Sequence, residues 1–157
     1  MQEQVRIALR RYRSADLPAI AALFYETVHT VCGQDYGREA LEAWASGSID
    51  EAAWDASLQA HVSLIAQVDG EIVGFGDMDA TGYLDRLYTA AAWQGRGVGT
   101  AICDALEATV PAARYTTNAS ITARSFFARR GYRVLCAQQV VRRGVTLTNY
   151  KMEKSGK

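Results

Sequence analysis

The sequence is short of several features that define whole classes of protein. It has only three cysteines among 157 residues, Cys32, Cys103 and Cys136. Their odd number and wide spacing exclude a disulfide framework and C-x-x-C metal ligation. Free thiols are typical of a reducing compartment, so we expect a cytoplasmic protein. No apolar run approaches the ~20 residues that span a bilayer, and residues 1–13 lack the apolar stretch of a signal peptide. We therefore expect no membrane partner.

Net charge is also missing, because 17 basic residues balance 17 acidic ones. A net charge of zero argues against a nucleic-acid partner, because domains that bind nucleic acids are usually strongly basic. The balance conceals two unlike segments: Ser14–Asp85 has thirteen acids and one base, whereas Arg86–Arg133 has seven bases and two acids. The length fits one domain over residues 1–157.

Apolar residues recur first at helical and then at alternating spacing. The pattern predicts a strand at Val5–Leu9 and a helix that begins after Ser14 or Asp16. From His61 the period changes to two, which predicts a three-stranded antiparallel meander. The other predicted segments are helices at Arg38–Ala45, Ile49–Leu58, Ala101–Val110 and Ile121–Arg130, and strands at Arg114–Asn118, Tyr132–Val141 and Val145–Met152. This order indicates an α+β domain with a mixed sheet.

The segment Gln94–Thr100, QGRGVGT, lies between a predicted strand and a predicted helix. Its three glycines let backbone N–H groups crowd together at a helix N-terminus, which favours an anion such as a pyrophosphate. Arg96 adds a positive charge. The segment lacks the lysine of a Walker A loop, and its glycines are one residue short of the dinucleotide fingerprint. We therefore expect a phosphate ligand of another class.

The spacing Gln-x-x-Gly-x-Gly, at Gln94, Gly97 and Gly99, resembles the acetyl-CoA pyrophosphate loop of the GNAT superfamily of N-acetyltransferases. Residues 120–132 are similar to a later pattern of that family, N-x-x-A-x-x-F-Y-x-x-x-G-F. The resemblance covers nearly the whole chain to Met152. Within the family, the chain most resembles small bacterial acetyltransferases of the YafP type. Residues 27–31 and 83–88 carry this finer resemblance.

The resemblance implies a single GNAT-like domain, a mixed and mostly antiparallel sheet flanked by helices, with a splayed strand pair for acetyl-CoA. It implies no metal. A backbone N–H near Leu87 or Tyr88 would polarise the thioester carbonyl, and an amine would attack it directly without an acyl-enzyme. The implied acetyl-CoA contacts are the backbone of Leu87, Tyr88 and Thr89, the loop residues Gln94, Gly95, Arg96, Gly97, Val98, Gly99 and Thr100, and the later residues Ser120 and Phe127.

Two positions depart from the family pattern. Ser120 stands where the family often has asparagine, and its hydroxyl can still hydrogen-bond the cofactor. Phe127 stands where a tyrosine usually protonates the leaving thiolate. Either the proton would come from Tyr132, Tyr88 or water, or the thiolate would leave unassisted. The alternative is a non-catalytic module that binds or senses CoA.

Two side chains are candidates for the base that deprotonates the amine. His29 is the only histidine of the first predicted helix, and a structural role is the alternative. Asp85 is predicted to share a strand face with Tyr83 and Leu87 and so to reach the cleft directly or through a water chain, and the alternative is an ion pair with Arg86 or another arginine.

The residues 25–54 combine aromatic rings with carboxylates, in the region that walls the acceptor site in this family. Such a mixture suits a cationic or aromatic amine through cation–π and charge attraction, although tryptophans at helical spacing also suit a core. We expect acetyl-CoA and a small amine as partners, and a monomer or homodimer.

Overall fold

Seven strands form one sheet in a computed structural model that describes residues 6–156. Their order across the sheet is β1-β2-β3-β4-β5-β7-β6. The strands are β1 (Ala8–Arg11), β2 (Val62–Val68), β3 (Glu71–Met78), β4 (Tyr83–Thr89), β5 (Arg114–Ser120), β6 (Arg133–Arg142) and β7 (Val145–Ser155). Only β4 and β5 are parallel neighbours, and every other pair is antiparallel. The sheet is therefore mixed and mostly antiparallel, as predicted. The first strand begins at Ala8, whereas the predicted start, Val5, lies outside the described residues.

Five helices cover the two faces of the sheet: α1 (Leu17–Val31), α2 (Arg38–Trp44), α3 (Glu51–Ala60), α4 (Val98–Thr109) and α5 (Arg124–Arg129). Helices α1 to α3 pack on one face, where Ile20, Phe24 and Val28 meet Ile65 and Phe75. Helices α4 and α5 pack on the other face around a second apolar core. No helix in residues 6–156 is long and apolar enough to cross a membrane.

Helix α4 lies unusually close to β3 because two glycines of that strand, Gly74 and Gly76, have no side chain. A Cβ atom on Gly74 would lie 2.7 Å from Val98 Cγ1, and one on Gly76 would lie 2.9 Å from Ile102 Cγ2. Buried apolar contact at this distance holds the first turn of α4 directly against the sheet. The loop before α4 is thereby placed at the edge of β4.

We expect Gly74→Ala to lower the free energy of unfolding by about 1–3 kcal/mol, because the added methyl overpacks a contact with Val98 and Ile102. Urea denaturation measures the change. The matched control is Gly37→Ala, at an exposed position with a φ of −70° and open space around the new Cβ. Equal stability losses in the two variants would contradict the close packing of α4.

Candidate active site

The parallel strands β4 and β5 separate shortly after they meet. They pair only at Tyr83 with Thr116 and at Leu84 with Thr117. Beyond these positions β4 remains paired with β3, and β5 remains paired with β7. A cavity of about 870 Å³ occupies the gap between the two strands. This volume is in the upper range of small-molecule sites.

A bulge in β4 causes the separation. Met78 pairs with Leu84 and Asp77 pairs with Arg86, so Asp85 is an extra residue with no partner in β3. A bulge of this kind bends its strand and places two consecutive side chains on one face. Asp85 and Arg86 accordingly lie together, with Asp85 Oδ2 3.6 Å from Arg86 Nη1. Asp85 therefore does not share a face with Leu87, which packs in the α4 core. The prediction from simple alternation was wrong there.

Beyond the bulge, the backbone of β4 offers hydrogen-bonding groups to the cavity. A Cβ atom on Gly76 would lie 3.0 Å from the Arg86 carbonyl oxygen and one on Gly74 would lie 3.1 Å from that of Tyr88, so both carbonyls point toward β3. Strand alternation then turns the N–H and C=O of Leu87 toward the open side. The Thr89 carbonyl already accepts from Gln94 Nε2 at 2.7 Å and from Thr27 Oγ1 at 3.1 Å. Leu87 is thus the residue of β4 best placed to pair with an extended ligand.

The loop before α4 presents unpaired N–H groups to the same cavity. Gly97 has a φ of +87° and is the N-cap of α4. In this left-handed conformation the chain turns into the helix, and the N–H groups of the loop and of the first turn of α4 form one continuous set of donors. No acceptor in residues 6–156 takes up the N–H of Gly95, Arg96 or Gly97. These donors and the helix dipole together favour an anion.

An ion-pair group holds the far wall of the cavity. Arg130 Nη2 lies 2.8 Å from Asp104 Oδ1 and its Nε lies 2.9 Å from Glu107 Oε2. Lys154 also pairs with Glu107. This group joins α4 to the end of α5 and to β7. Burial opposes ionisation of Glu107, but hydrogen bonds from Arg130 and Lys154 outweigh it and hold the pKa of this carboxyl below its ordinary value.

Most residues predicted for the site line the cavity. The backbone segment Leu87, Tyr88 and Thr89 does so, and so do Asp85 and Phe127. Phe127 contributes little surface, since it is only 3% exposed. Ser120 lines the cavity while its hydroxyl also accepts from the N–H of Ala123. The loop residues that line it are Gln94, Gly95, Gly97, Val98, Gly99 and Thr100.

Three predicted side chains are not part of the cavity lining. The Arg96 guanidinium lies 5.0 Å from the centroid of the Trp93 ring, which itself lines the cavity, so the backbone N–H of Arg96 and not its side chain belongs with the loop donors. His29 stacks on Tyr25, and its Nε2–H donates a hydrogen bond to the Ala45 carbonyl at 2.6 Å. Tyr132 is buried behind Phe127 and directs its hydroxyl toward Glu107 at 3.4 Å. Burial and Glu107 raise the pKa of this phenol. The geometry brings none of these three side chains to the reacting region.

Several lining residues were not among the predicted site residues. Thr27, Cys32 and Trp44 come from α1, the turn after it and α2, and Asn118 comes from β5. Asn118 shares a strand face with Ser120, so alternation along β5 was a signal for it. No local pattern distinguishes the others from core residues, because only the crossing of α1 over the gap brings them to the cavity.

A parallel strand pair that separates at a bulge, followed by a glycine-rich loop and a helix, is the architecture that the family resemblance of the sequence implies. The family model of the acetyltransferase (GNAT) domain matches residues 32–154. The N-acetyltransferase YafP of Escherichia coli K12 is 32% identical over 146 residues, covering 93% of this chain and 94% of that protein. The chain therefore belongs to the GNAT family. The family, the fold class and the enzyme class predicted from the sequence are confirmed.

Solved structures show the same architecture. A GCN5-related N-acetyltransferase from Rhodopseudomonas palustris is 36% identical, with a TM-score of 0.92 over 99% of both chains. PaiA N-acetyltransferase from Thermoplasma acidophilum, solved with coenzyme A, has a TM-score of 0.75 at 16% identity, covering 96% of this chain and 99% of that one. YncA from Salmonella typhimurium, solved with acetyl-CoA, has a TM-score of 0.69 at 15% identity over 96% and 94%. The last two likenesses concern the fold alone.

We expect Glu107→Gln to lower the free energy of unfolding at pH 7 by about 2 kcal/mol, because it leaves Arg130 without its buried charged partner. The folded-state pKa of Glu107 is depressed, so its contribution is complete above the ordinary value of 4.5. It is lost as pH falls through the folded-state pKa. The stability gap between wild type and variant should therefore close in acid.

Chemical denaturation across pH 3–7 tests this expectation. Glu71→Gln is the matched control, since Glu71 is exposed at the start of β3. A gap that stays constant down to the lowest pH would show that Glu107 is not held as an ionised partner of Arg130.

Proposed function

We propose that this enzyme transfers the acetyl group of acetyl-CoA to a small aromatic or cationic amine by direct attack. The observation that supports this most strongly is the cavity in the gap between β4 and β5, where unpaired backbone donors meet the carboxylate of Asp85. The free thiols of the described chain suit a cytoplasmic location.

Acetyl-CoA fits the gap as an extended ligand. Its pantetheine arm would lie along β4 and pair with the backbone of Leu87, in place of the strand contacts that β5 gives up. Its pyrophosphate would meet the N–H groups between Gly95 and Thr100. Arg129 also lines the cavity and is exposed, whereas Arg130 is occupied by Asp104 and Glu107. Arg129 is therefore the arginine available for a phosphate.

Asp85 is the proposed general base. Its side chain is 35% exposed and lines the cavity. Asp85 lies at the bulge, two residues before Leu87 in β4. The N–H of Leu87 is proposed to polarise the thioester carbonyl, so the base would lie near the reacting carbon. The sequence predicts two candidate bases, Asp85 and His29. His29 does not reach the cavity, so Asp85 is the one proposed to act as the base.

The chemical step balances without a covalent enzyme intermediate. The amine nitrogen forms a bond to the acetyl carbon, the carbon–sulfur bond breaks, and the proton of the amine passes to Asp85. CoA leaves as a thiolate and takes a proton from solvent, because Phe127 has none to give. Cys32 lines the cavity, but burial raises the pKa of its thiol, which keeps it protonated and a poor acyl carrier.

The acceptor is proposed to use an aromatic recess next to the cavity. This recess of about 170 Å³ shares Trp44 with the main cavity and is also lined by Phe24 and Trp54. Asp50 and Arg143 face it with opposite charges. The rings therefore support an aromatic acceptor more strongly than the charges support a purely cationic one.

Gly97→Ala should weaken acetyl-CoA binding by about 5- to 30-fold, since a non-glycine residue costs roughly 1–2 kcal/mol in the left-handed conformation that the loop requires. Isothermal titration with acetyl-CoA measures the change. Gly144→Ala is the control, because Gly144 has a similar φ of +78° at the β6–β7 turn, outside the cavity lining. Equal affinities of both variants for acetyl-CoA would exclude this loop as the phosphate site.

Asp85→Asn should reduce amine-dependent CoA release by about 10²- to 10⁴-fold while leaving the Kd for acetyl-CoA within a few-fold of wild type. The variant preserves the size of the side chain and removes the base. Asp69→Asn, at an exposed hairpin turn with a φ of 51°, is the matched control. Full turnover of Asp85→Asn would assign the base elsewhere. Acetyl-CoA binding without release under any amine would contradict the proposed transfer.

Trp44→Ala should raise KM for arylalkylamines by about 10-fold more than for simple alkylamines, because it removes one ring that lines both the recess and the cavity. A thiol-release assay over a panel of amines matched in basicity measures the difference. Trp93→Ala is the control, since Trp93 lines only the main cavity beside the loop. An equal change for both amine classes would show that the recess does not select the acceptor.

A further inference from the structure

A buried carboxylate behind Asp85 has an unusual environment. Asp77 is 0% exposed, and its Oδ2 accepts from Arg86 Nη1 at 2.6 Å and lies 2.7 Å from His61 Nδ1. Its Oδ1 has no hydrogen-bond partner in residues 6–156. An unpartnered buried carboxylate oxygen is costly, so it points to a role that the fold alone does not require.

The three titratable groups span the distance from the cavity to the surface. Asp85 lines the cavity, and one ligand atom each of Asp85, Asp77 and His61 lies within 4.8 Å of the other two. A single water molecule spans such a distance with two hydrogen bonds. His61 follows α3 and its side chain is 20% exposed, away from the cavity lining. Among the described residues only Asp77 hydrogen-bonds to this ring, so Nε2 is the nitrogen left to exchange a proton with solvent.

We propose that Asp77 and His61 carry the proton of the amine from Asp85 to solvent, and so restore the base after each turnover. The Asp85 carboxyl gives its proton to the Asp77 carboxylate through one bridging water. Asp77 gives a proton from Oδ2 to Nδ1 of a neutral His61 whose own proton is on Nε2, and that Nε2 proton leaves to solvent or buffer. Proton exchange between the imidazole and solvent then restores the starting tautomer. No electrons are transferred. The inference rests on the proposed function, because it takes Asp85 as the first proton acceptor.

The charges around this pathway suit a transient proton. Two carboxylates, Asp77 and Asp85, share the single guanidinium of Arg86. Burial raises the pKa of Asp77, and the nearby Asp85 acts in the same direction. Burial opposes ionisation of Asp79, but hydrogen bonds within its turn and the charge of His61 lower its pKa. Burial and then the charge of Asp85 raise the pKa of Tyr83, so these two groups also belong to the electrostatic surroundings of the pathway. A proton added to this group therefore reduces repulsion between carboxylates rather than creating an isolated charge.

A metal ion fits the same residues less well. His61, Asp77 and Asp85 are a possible ligand set, but Arg86 Nη1 already lies 2.6 Å from Asp77 Oδ2. A divalent cation there would stand next to a permanent positive charge. The arrangement therefore favours protons over a metal.

The test is buffer rescue of turnover. In a weak, non-rescuing buffer, His61→Ala should release CoA about 10-fold more slowly than wild type, and added imidazole should restore the rate. Small bases of differing pKa should rescue in order of basicity. His61→Gln can still donate to Asp77 but cannot relay a proton, so it should be slow and poorly rescued. The Kd for acetyl-CoA should be unchanged in both variants.

Ser57→Ala is the matched control, because it removes the 3.1 Å hydrogen bond from Arg86 Nη2 to Ser57 Oγ and leaves the contact of Asp77 with His61 intact. Its turnover should not depend on buffer. Wild-type rates in His61→Ala, or slow rates that imidazole does not raise, would overturn the relay. Inhibition of wild type by Zn²⁺ that His61→Gln abolishes, without buffer dependence, would overturn it in favour of a metal site. Failure of the proposed function differs from all of these, since wild type itself would then release no CoA.

Discussion

The separation of β4 from β5 is the constraint on which the site depends. One extra residue, Asp85, interrupts the pairing of β4 with β3 and bends the strand away from its parallel neighbour. The same residue that opens the gap also places a carboxylate at its mouth. Leu87 remains beside β3 but has no partner in β5. Its backbone N–H and C=O on that side are therefore left for an extended ligand to pair with. Shape and chemistry of the site thus arise from one local irregularity.

The bulge would be of little use without the close packing of α4. Gly74 and Gly76 let Val98 and Ile102 rest on the sheet, which places the loop at Gly97 beside the free edge of β4. The ion-pair group at Glu107 and Arg130 holds the opposite end of α4 to α5 and β7. The helix is therefore restrained at both ends, and its N-terminal donors are directed into the gap before any ligand arrives. Such preorganisation reduces the entropy that binding must overcome.

The sequence was sufficient for the element order, the mixed sheet and the glycine-rich loop before α4, because each depends on local periodicity or on glycine spacing. It was insufficient for three side chains. Arg96, His29 and Tyr132 have suitable chemistry, but their directions depend on contacts with Trp93, with Ala45 and with Glu107. The prediction for Asp85 was right in one part and wrong in the other. Alternation correctly places Asp85 on the face of Tyr83, but the bulge puts Leu87 on the opposite face. Bulges follow from pairing between strands, which a single strand pattern does not encode.

The opposed charges of the two halves acquire a different meaning in the folded chain. Many acids of the first half have local partners: Asp16 pairs with Arg10, Asp55 accepts from Tyr12, and Asp79 accepts within its own turn. Arginines of the second half are similarly engaged, Arg130 by Glu107 and Arg133 by Glu153. Among the charged residues that line the cavity, Asp104, Glu107, Arg130 and Lys154 pair with one another, whereas Arg129 and Asp85, the latter 3.6 Å from Arg86, are the ones best placed to meet a ligand. The bulk charge of a segment therefore predicts ligand charge poorly, because a ligand meets only the charged groups that line the cavity, and the aromatic lining of the recess is the better guide to the acceptor.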